Sequence, residues 1–274
     1  MIIIFGANGH IGRVAKQQLS IQAKFLNRSD CDINDHNSVR RIIDDNDVTH
    51  VINLAAMTNL EACEEQKALA LNTNTMAAVN MAEICKQYQK KFIQLSSGCV
   101  FDGGKVHQES DRQTPAVWYT HTKVFAEQYI SKFDDALIIR PRQLLSTIHC
   151  RTNLITKILQ CNEYDAITEL NSVTFVSDVI SFIEHAIANK IVGLYHIACA
   201  VPTTPYDIAT AIRATLKPSL SVRMIEYDEL LKRLPNRRVN TVLDISKSLK
   251  AGFKPLDFNI GLQALLKNYG ISNE

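Results

Sequence analysis

Short, nearly continuous apolar runs recur along the first half of the chain: Ile2-Ile3-Ile4-Phe5, Lys24-Phe25-Leu26-Asn27, His50-Val51-Ile52-Asn53-Leu54, Phe92-Ile93-Gln94-Leu95-Ser96 and Ala136-Leu137-Ile138-Ile139-Arg140. Runs of this length without strict alternation predict strands covered on both faces. Between them lie stretches that mix polar and apolar residues at helical spacing, one through Val14, Ala15 and Leu19 and others near 36–47, 68–88 and 117–132. Strand and helix in strict alternation predict an α/β fold, a parallel sheet with helices on both faces. Farther on, 176–189 reads as a helix with Asp178 near its start, and 193–197 as a strand. A further helix through 208–216 is announced by Thr203-Thr204-Pro205-Tyr206-Asp207. The last helix is expected over Asn259–Asn268, with Ile260, Leu262, Leu265 and Leu266 inward.

The first strand runs directly into Gly6-Ala7-Asn8-Gly9-His10-Ile11-Gly12 and then a helix. Gly6 permits the tight turn, Gly9 a close backbone approach to a diphosphate, and Gly12 the packing of helix on sheet. The free N–H groups at the helix start then face negative charge. After the second strand, where an acidic residue commonly meets ribose hydroxyls, stand Asn27 and Arg28, with Asp32 beyond. Arg28 suits a 2′-phosphate, which favours NADPH over NADH, while Asp32 suits adenine or ribose without specifying the cofactor.

Composition narrows the partners. Thirty Lys and Arg against 28 Asp and Glu leave a formal charge of +2, and the one basic cluster is Lys232, Arg233, Arg237 and Arg238. That is too little for a nucleic-acid reader. Seven cysteines, an odd number without a CxxC pair, read as reduced thiols. The opening run is too short and lacks a basic flank for a signal peptide, and no apolar stretch reaches 18 residues. A cytoplasmic protein without a membrane segment is therefore expected. The eight histidines form no HxH or HExxH arrangement, so no metal site is expected. His196, in an apolar strand, is expected as a satisfied core residue.

Tyr119 and Lys123 are spaced i,i+4 and share one helix face. An ammonium beside a phenol favours phenolate, and the same lysine can hold nicotinamide-ribose hydroxyls. Ser97 follows the fourth strand, 22 residues before Tyr119. Its hydroxyl can bond a carbonyl or the developing alkoxide, the third part of a tyrosine–lysine reductase.

With these segments in this order, the chain resembles the extended short-chain dehydrogenase/reductases, and within them the dTDP-4-dehydrorhamnose reductase family of nucleotide-sugar enzymes. Gly6–Gly12, Leu26–Asp35, Val51–Glu64, Ser96–Gly103, Tyr119–Glu127, Gly193–Ile197 and Arg237–Asp244 carry the likeness. It implies a Rossmann-like fold with a smaller C-terminal substrate-binding lobe. The nucleotide-binding domain would be 1–145, with 173–199 returning to it, and the lobe 146–172 and 200–274. It implies NADPH or NADH as cofactor, held by Gly6, Asn8, Gly9, His10, Ile11, Gly12, Asn27, Arg28, Asp32, Ala55, Ala56, Thr58, Asn72, Tyr119 and Lys123. Asn53 and Asn72 also suit the satisfaction of backbone groups. The resemblance further implies Ser97, Tyr119 and Lys123 as the catalytic set, and Ser97, Arg142, Gln143, Arg237 and Asn240 as substrate-binding. It leaves open a homodimer and Mg2+ at a subunit contact or on the diphosphate.

Departures from the family pattern concentrate in the sugar pocket. Arg140-Pro141-Arg142-Gln143 replaces a segment that commonly bears a Trp, Glu169–Phe175 keeps only Thr174 and an aromatic, and Arg238 stands where the family has proline. A 4-epimerase or a non-catalytic NAD(P)-binding regulatory subunit are the alternatives. Gly98, where a 4,6-dehydratase would prefer an acid, weighs against dehydration.

Overall fold

A computed structural model describes residues 1–103, 105–234, 236, 237 and 239–269. Arg238, in the basic cluster, lies outside the described residues. The strands β1 (Ile2–Phe5), β2 (Ala23–Leu26), β3 (His50–Asn53), β4 (Lys91–Leu95), β6 (Ala136–Pro141) and β10 (Gly193–Ile197) form one all-parallel sheet in the order β10-β6-β4-β3-β1-β2. Register pairs Phe5 with both Leu26 and Asn53. The turns that follow these strands therefore meet at one edge of the sheet. Between β1 and β3 the strand order reverses direction, opening the crevice where such sheets take ligands.

Apolar residues on both faces of each strand explain the burial. Ile3, Phe5, Val51, Phe92 and Ile138 enter one core with the helices α2 (His36–Ile43), α5 (Ala77–Gln87) and α6 (Trp118–Ile130). Ile2, Ile4, Ile52, Ile93, Leu137 and Ile139 enter the opposite core with α8 (Val176–Asn189). On the second face, α1 (His10–Gln18) packs on α8 through Val14, Ala15, Val176 and Ile180. The helix expected over 68–88 is interrupted. Two short helices, α3 (Leu60–Glu65) and α4 (Lys67–Leu71), lead into a π-helical turn at Asn72–Met76 before α5. The helix expected over 36–47 ends at Ile43, capped at its start by Asp35.

A smaller lobe has its own core, in which Leu145, Ile155, Ile158, Phe175, Ile208, Ile212 and Leu262 meet. It draws on α7 (Leu154–Leu159), α9 (Pro205–Thr215) and α12 (Phe258–Lys267), and on the parallel pair β8 (Glu163–Ala166) and β11 (Ser221–Met224). One expectation changes here. Ile260 is 69% exposed rather than inward. The buried face of α12 runs Phe258, Gly261, Leu262, Leu265, Leu266, and Gly261 is needed because a Cβ there would stand 2.5 Å from the Phe175 ring. Asp178 lies in the first turn of α8, as expected; its buried carboxylate accepts from the Leu256 N–H, and burial raises its pKa to about 6. Short pairs complete the chain, β7 (Leu144–Leu145) with β9 (Thr174–Phe175) and β5 (Val106–His107) with β12 (Val242–Leu243), together with the short helices α10 (Tyr227–Arg233) and α11 (Ser246–Lys250). Among the described residues no helix is long and apolar enough to cross a membrane, and all seven cysteines are free thiols.

Candidate active site

At the β1–β3 crevice the backbone turns with almost no clearance. Gly6 has φ +89°, and a Cβ on it would lie 2.6 Å from the Ala55 nitrogen; one on Gly12 would lie 2.3 Å from the Gly6 oxygen. Glycine is demanded at the first by backbone conformation and at the second by contact. Beside this turn lies a cleft of about 540 Å³ lined by Gly6, Asn8, Gly9, Asn27, Arg28, Asp32, Ala55, Ala56 and Met57, among others. Glycines at its floor, the uncapped start of α1 and small alanines on its wall fit a dinucleotide diphosphate.

The polar residues around the cleft are partly occupied with one another. Asn27 Oδ1 accepts from the Ser29 N–H and hydroxyl, which shapes the turn after β2. Arg28 pairs with Asp32 at 3.3 Å, a solvent-exposed contact that a stronger anion can displace. Asn8 receives a bond from Lys16. His10 Nε2 lies 2.6 Å from Ser146 Oγ and joins α1 to the segment after β7. Burial, with Arg13 nearby, lowers its pKa to about 4, so the ring is neutral at pH 7.

The wall at 55–58 is held from behind. Asn74, buried in the π turn, accepts from Met57 N–H (2.8 Å) and donates to Met57 O (2.9 Å) and Thr122 Oγ1 (3.1 Å). Thr75 Oγ1 donates to the Thr122 carbonyl at 2.7 Å. The expectation for Asn72 is therefore corrected: Asn72 is exposed, and Asn74 contacts the loop. The wider π turn, bonded i→i+5 rather than i→i+4, brings two consecutive side chains, Asn74 and Thr75, onto α6, a shift that regular helical spacing conceals. Thr58 is exposed, while Met57 lines the cleft. Asn53 is structural: buried, it donates to Gln94 and accepts from the Ala55 N–H.

Met57 also packs with Tyr119, the second residue of α6, together with Cys63 and Val117. Ser97, two residues beyond β4, caps the turn Gly98–Val100 by accepting from the Cys99 N–H at 3.2 Å, and its hydroxyl faces the Tyr119 phenol. Burial raises the Tyr119 pKa, with the thiols of Cys99 and Cys63 adding to the rise; the Ser97 hydroxyl and the Arg142 guanidinium oppose it. Lys123 is buried one turn on, and its Nζ donates to the Leu95 carbonyl at 3.0 Å. Burial lowers its pKa to about 8, Glu127 working against the shift. The expected action of this ammonium on the phenol gives way here to a bond with the end of β4.

Glu127 continues the same face of α6 and forms a buried ion pair with Arg140 at 2.6 Å. Arg140 lies against the Phe101 ring and reaches His196 Nε2 at 3.2 Å, while His196 Nδ1 meets the Asp244 carbonyl. His196 is thus the satisfied core histidine its strand suggested.

Beyond Ser97 a second cleft of about 700 Å³ lies against the smaller lobe. Asp102, Glu169, Tyr227, Arg237, Asn240 and Val242 are among its walls. Arg237 pairs with Asp102 at 3.0 Å, and Asn240 Nδ2 is buried without a partner among the described residues. Gln143, with φ +39°, accepts from the Asn171 amide. Among the described residues no group of three or more His, Cys, Asp or Glu side chains is placed to hold a metal ion.

The model of the RmlD substrate binding domain matches residues 1–271. A dTDP-4-dehydrorhamnose reductase of Mycolicibacterium smegmatis is 28% identical over 276 residues, 96% of this chain and 84% of its own length. A bifunctional dTDP-4-dehydrorhamnose 3,5-epimerase/dTDP-4-dehydrorhamnose reductase of Arabidopsis thaliana is 23% identical over 268 residues, 93% of this chain and 88% of its own. The crystal structure of a dTDP-4-dehydrorhamnose reductase from Bacillus anthracis in complex with NADP superposes with a TM-score of 0.87 at 20% identity, over 99% of each chain. At that identity the likeness is one of fold.

Proposed function

Because the chain belongs to the RmlD substrate binding domain family, we propose that it is an NAD(P)H-dependent reductase of 4-keto nucleotide-linked deoxysugars, with a dTDP-4-dehydrorhamnose-type sugar as substrate. The observation that carries the reading is the placing of Ser97 beside the buried Tyr119 phenol, with Lys123 on the same helix face, next to a glycine-floored cleft at the sheet's switch point. The bound nicotinamide supplies the hydride. Ser97 polarises the keto oxygen, Tyr119 donates its proton to that oxygen, and Lys123 holds the ribose hydroxyls.

Gly6, Asn8, Gly9, His10, Ile11 and Gly12 take the cofactor diphosphate, and Ala55 and Ala56 let it pass close. Asn27, Arg28 and Asp32 take the adenosine end. Exchange of the Arg28–Asp32 contact for a 2′-phosphate supports NADPH over NADH. In the second cleft Arg237 and Asn240 serve the substrate's nucleoside diphosphate. The division of labour runs between 1–145 with 173–199 for cofactor, and 146–172 with 200–274 for substrate. Seven free thiols support a reducing, cytoplasmic setting.

The test incubates the protein with dTDP-, UDP- and GDP-linked 4-keto-6-deoxy sugars and NADPH or NADH, and follows both reduced cofactor and product. Tyr119→Phe is expected to lower kcat by about 10²–10⁴-fold. No cofactor oxidation on any sugar sinks the reading, and tightly bound NAD+ with no net consumption would mean epimerisation instead.

A further inference from the structure

The cations and acids of the second cleft cancel. Among the described residues its lining carries Lys105 and Arg237 against Asp102 and Glu169. Lys105 is drawn off to Asp111 at 3.2 Å, and Arg237 Nη2 stands 3.0 and 3.1 Å from the two carboxylate oxygens of Asp102. The segments that carry this second pair are also stitched together by other contacts. Thr241 Oγ1 donates to the Phe101 carbonyl at 3.2 Å, and a Cβ on Gly103 would lie only 2.8 Å from the Asn240 carbonyl oxygen. The Asp102 N–H donates to Thr114 Oγ1 at 2.8 Å. The backbone around Asp102 is therefore held whether or not its carboxylate touches Arg237.

Exposure sets this ion pair apart from the permanent one. The side chains of Arg140 and Glu127 are 2% and 3% exposed, those of Arg237 and Asp102 50% and 34%. Parting the buried pair strands a charge away from water. Parting the exposed pair costs little, because water or a stronger anion takes the carboxylate's place. A diphosphate is such an anion: it carries more charge than a carboxylate and meets a guanidinium through paired N–H bonds.

We infer that Asp102 is an internal competitor for the substrate's diphosphate: it holds Arg237 until a nucleoside diphosphate displaces it, and it returns as the product leaves. The inference rests on the reading of Arg237 as the cation that takes that diphosphate. The carboxylate keeps the guanidinium at the cleft wall. By contesting the arginine and repelling the incoming charge, it also sets the affinity below what Arg237 alone would give. The product of the proposed reduction keeps the whole nucleoside diphosphate, so a weaker grip on that group speeds its release.

Calorimetric titration with dTDP and with UDP, neither carrying a sugar, reads the competition without catalysis. Asp102→Asn, which keeps the shape and removes the charge, is expected to lower Kd about fivefold at low salt. The gain should fade in about 1 M salt, where the Debye length is about 3 Å, and most of it should vanish in an Arg237→Met background. A merely structural Asp102 predicts the opposite sign, since loosening the segment that carries Arg237 weakens binding. An unchanged or higher Kd in folded Asp102→Asn overturns the inference, as does a gain that survives Arg237→Met in full. If Asp102→Asn does not fold, Asp102→Ser must show the same fall in Kd or the inference fails. Nucleotide that binds Arg237→Met as tightly as the parent would overturn the assignment of Arg237 to the diphosphate, and the inference with it; weaker binding there with no gain from Asp102→Asn overturns the inference alone.

Discussion

Replacing Asn74 by alanine removes three hydrogen bonds at once, and their partners fare differently. Thr122 Oγ1 still donates to the Tyr119 carbonyl at 2.7 Å, and Met57 O keeps the Cys63 thiol at 3.4 Å. The Met57 N–H is left with nothing. An abandoned donor away from water costs about 1–3 kcal/mol, and each lost bond that retains another partner about 1 kcal/mol. Water can enter from the half-open cleft, so we expect a loss of about 2–3 kcal/mol. That is a fall in Tm of roughly 4–5 °C for a chain of this size, or a lower urea midpoint at unchanged slope. The 55–58 wall also loosens, and cofactor dissociation constants should rise about tenfold, equivalent to about 1.4 kcal/mol. Asn72→Ala, two residues away but exposed, should stay within about 0.5 kcal/mol of the parent. Equal losses in the two variants, or an Asn74→Ala protein as stable as the parent, would refute the placement of the clamp.

Other perturbations separate stability from catalysis. Lys123 titrates near 8 in the fold against 10.5 when exposed, so below pH 8 its charge costs the fold about 3 kcal/mol, and the cost is relieved as pH rises from 8 to 10.5. Lys123→Met, which also loses the bond to Leu95, should unfold at higher urea than the parent at pH 7 by about 2 kcal/mol while losing turnover. This advantage should vanish towards pH 10.5, and an advantage that grows with pH would contradict the sign. Gly12→Ala drives a Cβ into the Gly6 carbonyl and Ala7 backbone, with an expected cost of at least about 2 kcal/mol and loss of cofactor binding by fluorescence titration. Glu127→Gln strands the buried Arg140 charge at about 3–5 kcal/mol. Replacing Glu127 and Arg140 together by leucine and methionine should recover most of that in a denaturation cycle, and a double variant no better than the single would count against the ion pair as the cause.

Local physics made much of the fold and site legible in one dimension. Runs such as Ile2–Phe5 and Ala136–Arg140 hydrophobic on both faces can only be interior strands, and the spacing of Gly6, Gly9 and Gly12 specifies a turn with no room for side chains. The i,i+4 spacing of Tyr119 and Lys123 put both on one helix face because a helix has no other arrangement for them. Ile260 is apolar yet lies off the buried face: the i, i+3, i+4 series from Phe258 passes through Gly261, whose value lies in the space it leaves for Phe175.

What tertiary structure alone decided is where each functional group spends its hydrogen bonds and charge. The π turn chose Asn74 over Asn72, since a change of helical pitch leaves no mark in a pattern read at 3.6 residues per turn. Contact across the fold gave Asp178 to Leu256, Lys123 to Leu95 and Glu127 to Arg140. These pairings join residues up to 78 positions apart. They depend on which strand ends the sheet order brings together, and on how much water the surrounding lobe excludes, neither of which is a local property of the chain.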